Sequence, residues 1–530
     1  MKNAKKLLNW ILVIAIGISA LAGCQKQTAV SENLKIDGKY GNTYPIKTDE
    51  KLTYWCNWTV HPDYSSYKEQ PFYKRLQDET GIEIEFQFAP QGQGAEAFNI
   101  MIASGELPDI IMYDWYRLNG DPKKYIDQKY IIPLNDVFEK AAPNIKSVLD
   151  NDPEIDKMIK TDDGQYYCFP FIRDSEWLTV FQGYILRKDL LEKYSLQVPT
   201  TIEEWYNVLT TFKMNGIKYP LSFANGCQYN IASAFGIQAK AYLDDDGNVQ
   251  YGAITPQYKD FLKTFKKWYE EGLIDRDFVS TDQTLLSSKV TSGDVGISFC
   301  TGSTIGKWLL TGKSINKEFE LVAVPFPTVI KGEKNKFGLG DFRFNGYSGG
   351  AITTACKDVE LAAKLLDYAY SEKGHMLYNF GIEGESYKLV DGEPVITDEI
   401  KNYKGGDISS SLQRYIISMG GAPCIQDTRM YKQRLSLKEQ KDAIDIWADV
   451  SEEYKRHKMP LVTYTSEESV ALSKLTPQIS TYISESFFKF IKGEKSIEND
   501  FEEYAAELDK MGLKEVMDIY EAAAKRYNNR

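Results

Sequence analysis

Three short clusters mix aromatic rings with hydrogen-bonding groups: Tyr54-Trp55-Cys56-Asn57-Trp58, Met112-Tyr113-Asp114-Trp115-Tyr116-Arg117 and Phe171-Ile172-Arg173-Asp174-Ser175-Glu176-Trp177. The flat face of Trp or Tyr covers apolar C–H surface, and Asn, Asp and Arg can bond hydroxyls in pairs. A sugar has both, a C–H face and a rim of hydroxyls. About half of these rings are expected to serve the core or its rim, the ordinary place for large side chains. In Asn379–Tyr387, Glu383 and Glu385 stand beside Gly381 and Gly384. Paired carboxylates can cleave a glycosidic bond. Two carboxylates in so irregular a loop point different ways, so Glu383 is read as a single acceptor of ligand hydroxyls.

Other motifs fail on inspection. Gly92–Ala97 matches GxGxxA, a nucleotide-binding pattern. However, Glu83, Glu85 and Gln87 alternate with apolar residues in the strand before it, and Pro90 intervenes. A central Rossmann strand is apolar throughout, so Gly92 and Gly94 are expected to form a flexible lead-in to a helix, and no cofactor is expected. Leu243–Val249 is rich in Asp, but Gly247 at the sixth position of a calcium loop puts Tyr242 first and Ala253 twelfth, where carboxylates are needed. A turn or hairpin is expected there. The three histidines and the absence of HExxH leave no metal site in view.

Strands and helices alternate through the body that would hold these groups. Strands are expected at Leu52–Trp55, Ile82–Phe88, Asp109–Tyr113, Val295–Cys300, Glu320–Phe326 and Gly350–Thr354. Two of the aromatic clusters fall at strand C-terminal ends, where open α/β sheets bind ligands. A helix capped by Thr201 carries Ile202, Trp205, Val208, Leu209 and Phe212 on one face, and Gly216 stops it. A second, capped by Thr255 with Pro256 in its first turn, carries Tyr258, Phe261, Leu262, Phe265, Trp268 and Tyr269. The alternation predicts an α/β protein with largely parallel sheets. From about Leu437 to Arg530 the pattern is helical.

Composition narrows the function. A net charge of −12 over 530 residues argues against nucleic acid as a partner. The 35 tyrosines and 9 tryptophans exceed what a core requires. Cys56, Cys168, Cys227, Cys300, Cys356 and Cys424 are scattered, a spacing that specifies no disulfide. Lys2, Lys5 and Lys6 precede an apolar run from Leu7 to Leu21, the layout of a secretory signal and too short to span a bilayer comfortably. Leu21-Ala22-Gly23-Cys24 resembles the lipobox of bacterial lipoproteins. That resemblance implies cleavage before Cys24, acylation of its thiol and new N-terminus, and a firm anchor on the outer membrane face. Residues 24–50 are polar and read as a flexible tether.

Taken in order, the lipobox, tether, "LTYWCNW", "MIASGELPDIIMYD", "RKDLLEKYSLQVPTTIEEWYNVLTTFK", "YGAITPQYKDFLKTFKKWYEEGLID" and "YNFGIEGESY" resemble the solute-binding lipoproteins of carbohydrate ABC importers, family 1, LplA-like group. The resemblance implies a two-lobe periplasmic-binding-protein-like fold of class II type, with hinge-linked lobes and a helical C-terminal region. By analogy the signal peptide is 1–23, one lobe holds 51–173 and 347–387, and the other holds 174–346 and 388–530. It implies a monomer, with no catalytic residue, that binds an oligosaccharide between the lobes and delivers it to membrane permease subunits, on a bacterium of Gram-positive type. Trp55, Asn57, Trp58, Tyr113, Asp114, Trp115, Arg173, Asn225, Thr301, Ser303, Asp341, Arg343, Tyr347 and Glu383 are carried over as cleft residues. Trp55, Trp58 and Tyr113 would stack on the sugar, and Asp114, Arg173, Arg343 and Glu383 would recognise hydroxyls or carboxylates. Two other readings stay open: an anchored glycan-degrading enzyme, and a receptor for a peptide or other non-sugar solute.

Overall fold

The computed structural model describes residues 36–116, 118, 121–403, 408–419 and 422–530. The signal segment and Cys24 lie outside the described residues. The chain begins in one lobe with β1 (Lys51–Cys56), β2 (Glu83–Phe88), β3 (Ile110–Tyr113) and β4 (Phe169–Arg173). It crosses to a second lobe for β5 (Gln182–Arg187), β6 (Tyr219–Leu221), the β7 (Ala241–Leu243) and β8 (Val249–Tyr251) hairpin, β9 (Val295–Thr301) and β10 (Leu321–Val324). It returns for β11 (Phe344–Ile352), the β12 (Tyr387–Val390) and β13 (Glu393–Ile396) hairpin, and β14 (Cys424–Gln426).

The first lobe's sheet has the order β14-β4-β11-β3-β1-β2, and the second lobe's β10-β5-β9-β6. In the first, β1 pairs parallel with β2 and β3, because the helices Pro71–Thr80 and Gly94–Ser104 carry the chain back between them. β2 is the edge, which explains its alternation: Glu83, Glu85 and Gln87 face solvent. The expectation of largely parallel sheets does not hold. β11 enters from the other lobe and pairs antiparallel with both β3 and β4, and β5 lies antiparallel between β9 and β10. Strands that arrive through a hinge run against those built inside the lobe.

Two further expectations change. β14 pairs with β4, so the chain stays with the first lobe to Gln426 and does not leave it at 388. The expected tether is docked from its middle onward. Glu360 accepts the amides of Asp37 (3.2 Å), Gly38 (3.1 Å) and Tyr40 (3.1 Å), and Lys364 donates to Asn42 Oδ1 at 2.5 Å, which straps this segment to the helix Val359–Tyr368.

Each lobe has its own core, and the tryptophans fill them. Trp55 and the fully buried Trp115 lie in the first, and Trp205, Trp268, Trp308 and Trp447 lie in the second. The C-terminal helix Leu513–Asn528 joins both: Leu513 and Val516 belong to the second core, Ala523, Ala524 and Tyr527 to the first. Arg526 and Arg530 pin its end to Asp162 of the first lobe at 2.6 and 2.7 Å.

Candidate functional site

The three crossovers are laced together. Asp341 on the second donates its amide to Thr179 O on the first (2.8 Å), and Thr428 on the third donates its amide to Asp174 at 2.9 Å. Arg173, almost fully buried, donates to Phe342 O and to Asp341 Oδ2, the latter at 3.1 Å. Arg343 donates from Nε to Arg173 O (3.1 Å) and from Nη1 to Asp152 at 2.6 Å. Both guanidiniums, expected on a sugar, thus hold the hinge strands to each other.

The predicted aromatic platforms divide. Trp58 is half-buried, and its indole N–H donates to Tyr73 OH at 2.9 Å. Tyr113 lies flat on Phe98, with ring centroids 4.0 Å apart and planes 2° from parallel. Trp55 is only 6% exposed and tilts against both rings, so it is a core residue and not a stacking face. Trp115 is fully buried and donates to Gly349 O at 3.0 Å, stapling the exit of β3 to β11. An indole's large apolar area favours core burial wherever its one N–H finds an acceptor. Asn57 is exposed, and its amide occupies the space over Gly94, where an added Cβ would meet Oδ1 at 1.8 Å. The glycine motif therefore makes room for Asn57 as well as opening a helix. Asp114 is half-buried beside Tyr113.

Other predicted residues fall elsewhere. Thr301 caps the helix Gly302–Ile315 and lies 3.0 Å from Ser303 Oγ. Glu383 is exposed on the loop before β12, in the separate cluster built on Phe380, Ile382 and Tyr387. The side chain of Tyr347 lies outside the described residues.

Two adjoining cavities lie where lobes and hinge meet. The first, about 390 Å³, is bounded by Tyr116 of the first lobe, Gly340–Phe342 and Phe344 of the second crossover, Lys240 and Tyr251 of the hairpin, and the run Lys458–Val462. The second, about 420 Å³, is lined by Asn225, Gln228, Tyr229, Ser480 and Ser484. Gln238, Lys240 and Tyr251 border both. Each volume is that of a small-molecule site. Of the residues predicted from sequence, Asn225 and Asp341 are on these walls. The aromatic surplus reappears here as tyrosine: Tyr116, Tyr251, Tyr454, Tyr464 and Tyr520 all face the first cavity. Burial pushes the Tyr251 phenol up to about 12 and raises those of Tyr464 and Tyr520, so these hydroxyls stay protonated.

Two lysines meet the same space. Lys458 donates to Gly340 O at 3.1 Å and sits 3.3 Å from the centre of the Phe342 ring. Loss of water lowers its pKa to about 7, with Lys240 and Arg173 adding like-charge repulsion and Asp341 and Glu176 opposing it. Lys240 opens into the cavity, whose walls strip enough water to lower its pKa too.

The Asp-rich turn is a hairpin, as its failed calcium register implies. Asp244 accepts the amides of Asp246 (3.0 Å) and Asn248 (2.8 Å), and Asp245 binds Lys336 and His457. Among the described residues, no group of three His, Cys, Asp or Glu could hold a metal, and no helix is long and apolar enough to cross a membrane.

The family model described as bacterial extracellular solute-binding protein matches residues 58–376, more than half of the chain. The fructooligosaccharide ABC transporter substrate-binding protein FusA of Streptococcus pneumoniae is 26% identical over 533 residues, covering 96% of this chain and 96% of that protein. Lipoprotein LipO of Bacillus subtilis is 26% identical over 357 residues, 63% of this chain and 67% of LipO. The solved structure of S. pneumoniae FusA in complex with kestose matches with a TM-score of 0.71 at 23% identity, over 91% of this chain and 100% of that one. That match establishes a periplasmic-binding-protein-like fold.

Proposed function

The chain belongs to the bacterial extracellular solute-binding protein family, and from that premise we propose that it is the receptor of an ABC importer for an oligosaccharide. The observation that carries this reading is the tyrosine-walled space between lobes and hinge. Phenol faces cover sugar C–H surfaces, while their hydroxyls and the amides of Asn225, Gln228 and Gln238 reach a sugar's oxygens. FusA, similar over nearly its whole length, bears a fructooligosaccharide transporter's name, which points to the same class.

The receptor binds and releases its ligand unchanged, and its lobes close on it by rotation about the laced crossovers. It acts as a monomer, handing the sugar to membrane permease subunits. Cys24 carries the lipid that holds it to the outer face of the membrane in a Gram-positive cell, a reading that LipO's name supports. Calorimetric titration of the protein with neutral and acidic oligosaccharides, followed by product analysis, tests the central claim. Binding with the sugar recovered intact supports it, and cleavage or silence across the panel refutes it. For the anchor, Cys24→Ala should leave unprocessed or released protein, and a processed protein with unchanged membrane anchoring would overturn that part.

A further inference from the structure

The charge on the cavity walls is one-sided. Lys240 and Lys458 both border the first cavity, and the one carboxylate among its described lining residues is Asp341. Asp341 is already engaged, with Oδ2 3.1 Å from Arg173 and Oδ1 accepting the Phe342 amide at 3.0 Å. Among the described residues, no carboxylate lies within ion-pair distance of either lysine. An ammonium has three donors. Lys458 gives one to Gly340 O, and Lys240 makes no side-chain hydrogen bond among the described residues.

A second observation points the same way. Gln238 Nε2 is buried and has no hydrogen-bond partner among the described residues, although the residue borders both cavities. A buried N–H without an acceptor is costly, and so is a pair of facing cations. A single acceptor with negative charge in the cavity relieves both once the Gln238 side chain turns its amide toward it.

We propose, resting on the reading of the chain as a saccharide receptor, that Lys240, Gln238 and Lys458 form a carboxylate subsite, so that the preferred ligand carries a uronic acid residue there. The neutral remainder of the ligand extends into the second cavity, whose described walls carry no charge beyond Lys240.

The test uses three probes with the intact protein: a galacturonate trisaccharide, its fully methyl-esterified form of equal length and no charge, and the neutral maltotriose. The acid should bind roughly 10-fold or more tighter than its ester, and less tightly as salt rises, as expected of charge-assisted contacts. Lys240→Gln and Lys458→Met should each bring the ratio of acid to ester affinity down most of the way to one. Binding of the acid at pH 8 should take up a proton as Lys458 becomes charged, seen as a heat that varies with buffer ionisation enthalpy. Lys458 supports the hinge, so a thermal melt accompanies that variant. Lys240 opens to the cavity, and its variant keeps the test decisive. Equal affinity for acid and ester, tighter binding of maltotriose, or an acid preference that survives Lys240→Gln overturns the subsite and leaves the saccharide reading intact. If none of the three binds and no other saccharide does, both fall together.

Discussion

Arg173 offers the sharpest choice between a residue that touches ligand and one that holds the hinge. Replacing it with Met keeps most of the aliphatic volume and removes the guanidinium. Two bonds are lost, one to Phe342 O and one to Asp341, and charge-assisted hydrogen bonds contribute about 1.5–3 kcal/mol each. The side chains of Arg173 and Asp341 are 10% and 18% exposed, so water replaces part of what is removed. About 2–3 kcal/mol of stability should therefore disappear, far above the ~0–1 kcal/mol typical of a surface pair. Urea unfolding followed by tryptophan fluorescence should show the midpoint falling. A cycle with Asp341→Asn should return a coupling of about 1–2 kcal/mol, as expected of residues in direct contact. Calorimetry would show affinity reduced only through the looser hinge. An unchanged midpoint together with a loss of affinity of 10-fold or more would refute the hinge assignment.

Three more outcomes follow from particular contacts. Gly94→Ala should displace the exposed Asn57 amide, because the new Cβ would meet Oδ1 at 1.8 Å; Asn57 is not on the cavity walls, so sugar affinity in calorimetry should hold, and a fall would bring Asn57 into the site. Gly183→Ala should destabilise by about 1–3 kcal/mol, the usual cost of overpacking, since its Cβ would meet the fully buried Trp447 ring at 2.5 Å; urea unfolding measures the loss. Asp367 is buried, and its carboxyl is held up at about 6 against about 3.9 when unfolded. The folded state binds the extra proton between those values, so stability declines as pH rises from about 4 to 6. Asp367→Asn should flatten that slope in unfolding curves taken across the window, and an unaltered slope would count against the assignment.

Much of the fold is legible in the residues. The helices Ile202–Met214 and Pro256–Glu270 start at the expected threonines, with Thr201 accepting the Glu204 amide and Thr255 the Tyr258 amide. The strands later found as β1, β2, β3, β9, β10 and β11 can be placed from their apolar runs. β14 escapes because three residues, Cys424–Gln426, carry no period. β4 escapes because Phe169–Arg173 is buried on both faces and contains a proline. Strand direction is hidden because it depends on which lobe the chain arrives from. The site is less legible for a related reason. Ring-and-amide clusters reveal which chemistry is present, but an indole signals core and platform equally. Lys240 and Lys458 stand far apart in the chain, and only the fold brings them to one cavity.

The C-terminal helix, 16 residues long, also bears on the order of assembly. It is made after every other element of both lobes, yet it supplies apolar residues to both cores. Neither lobe can finish packing while its part of that helix is still being synthesised. Domains usually consolidate from the N-terminus as the chain emerges. Here consolidation of both halves waits for the same late segment. A chain that must thread an export channel before folding gains from such a delay, because both lobes remain incompletely packed until this helix has passed.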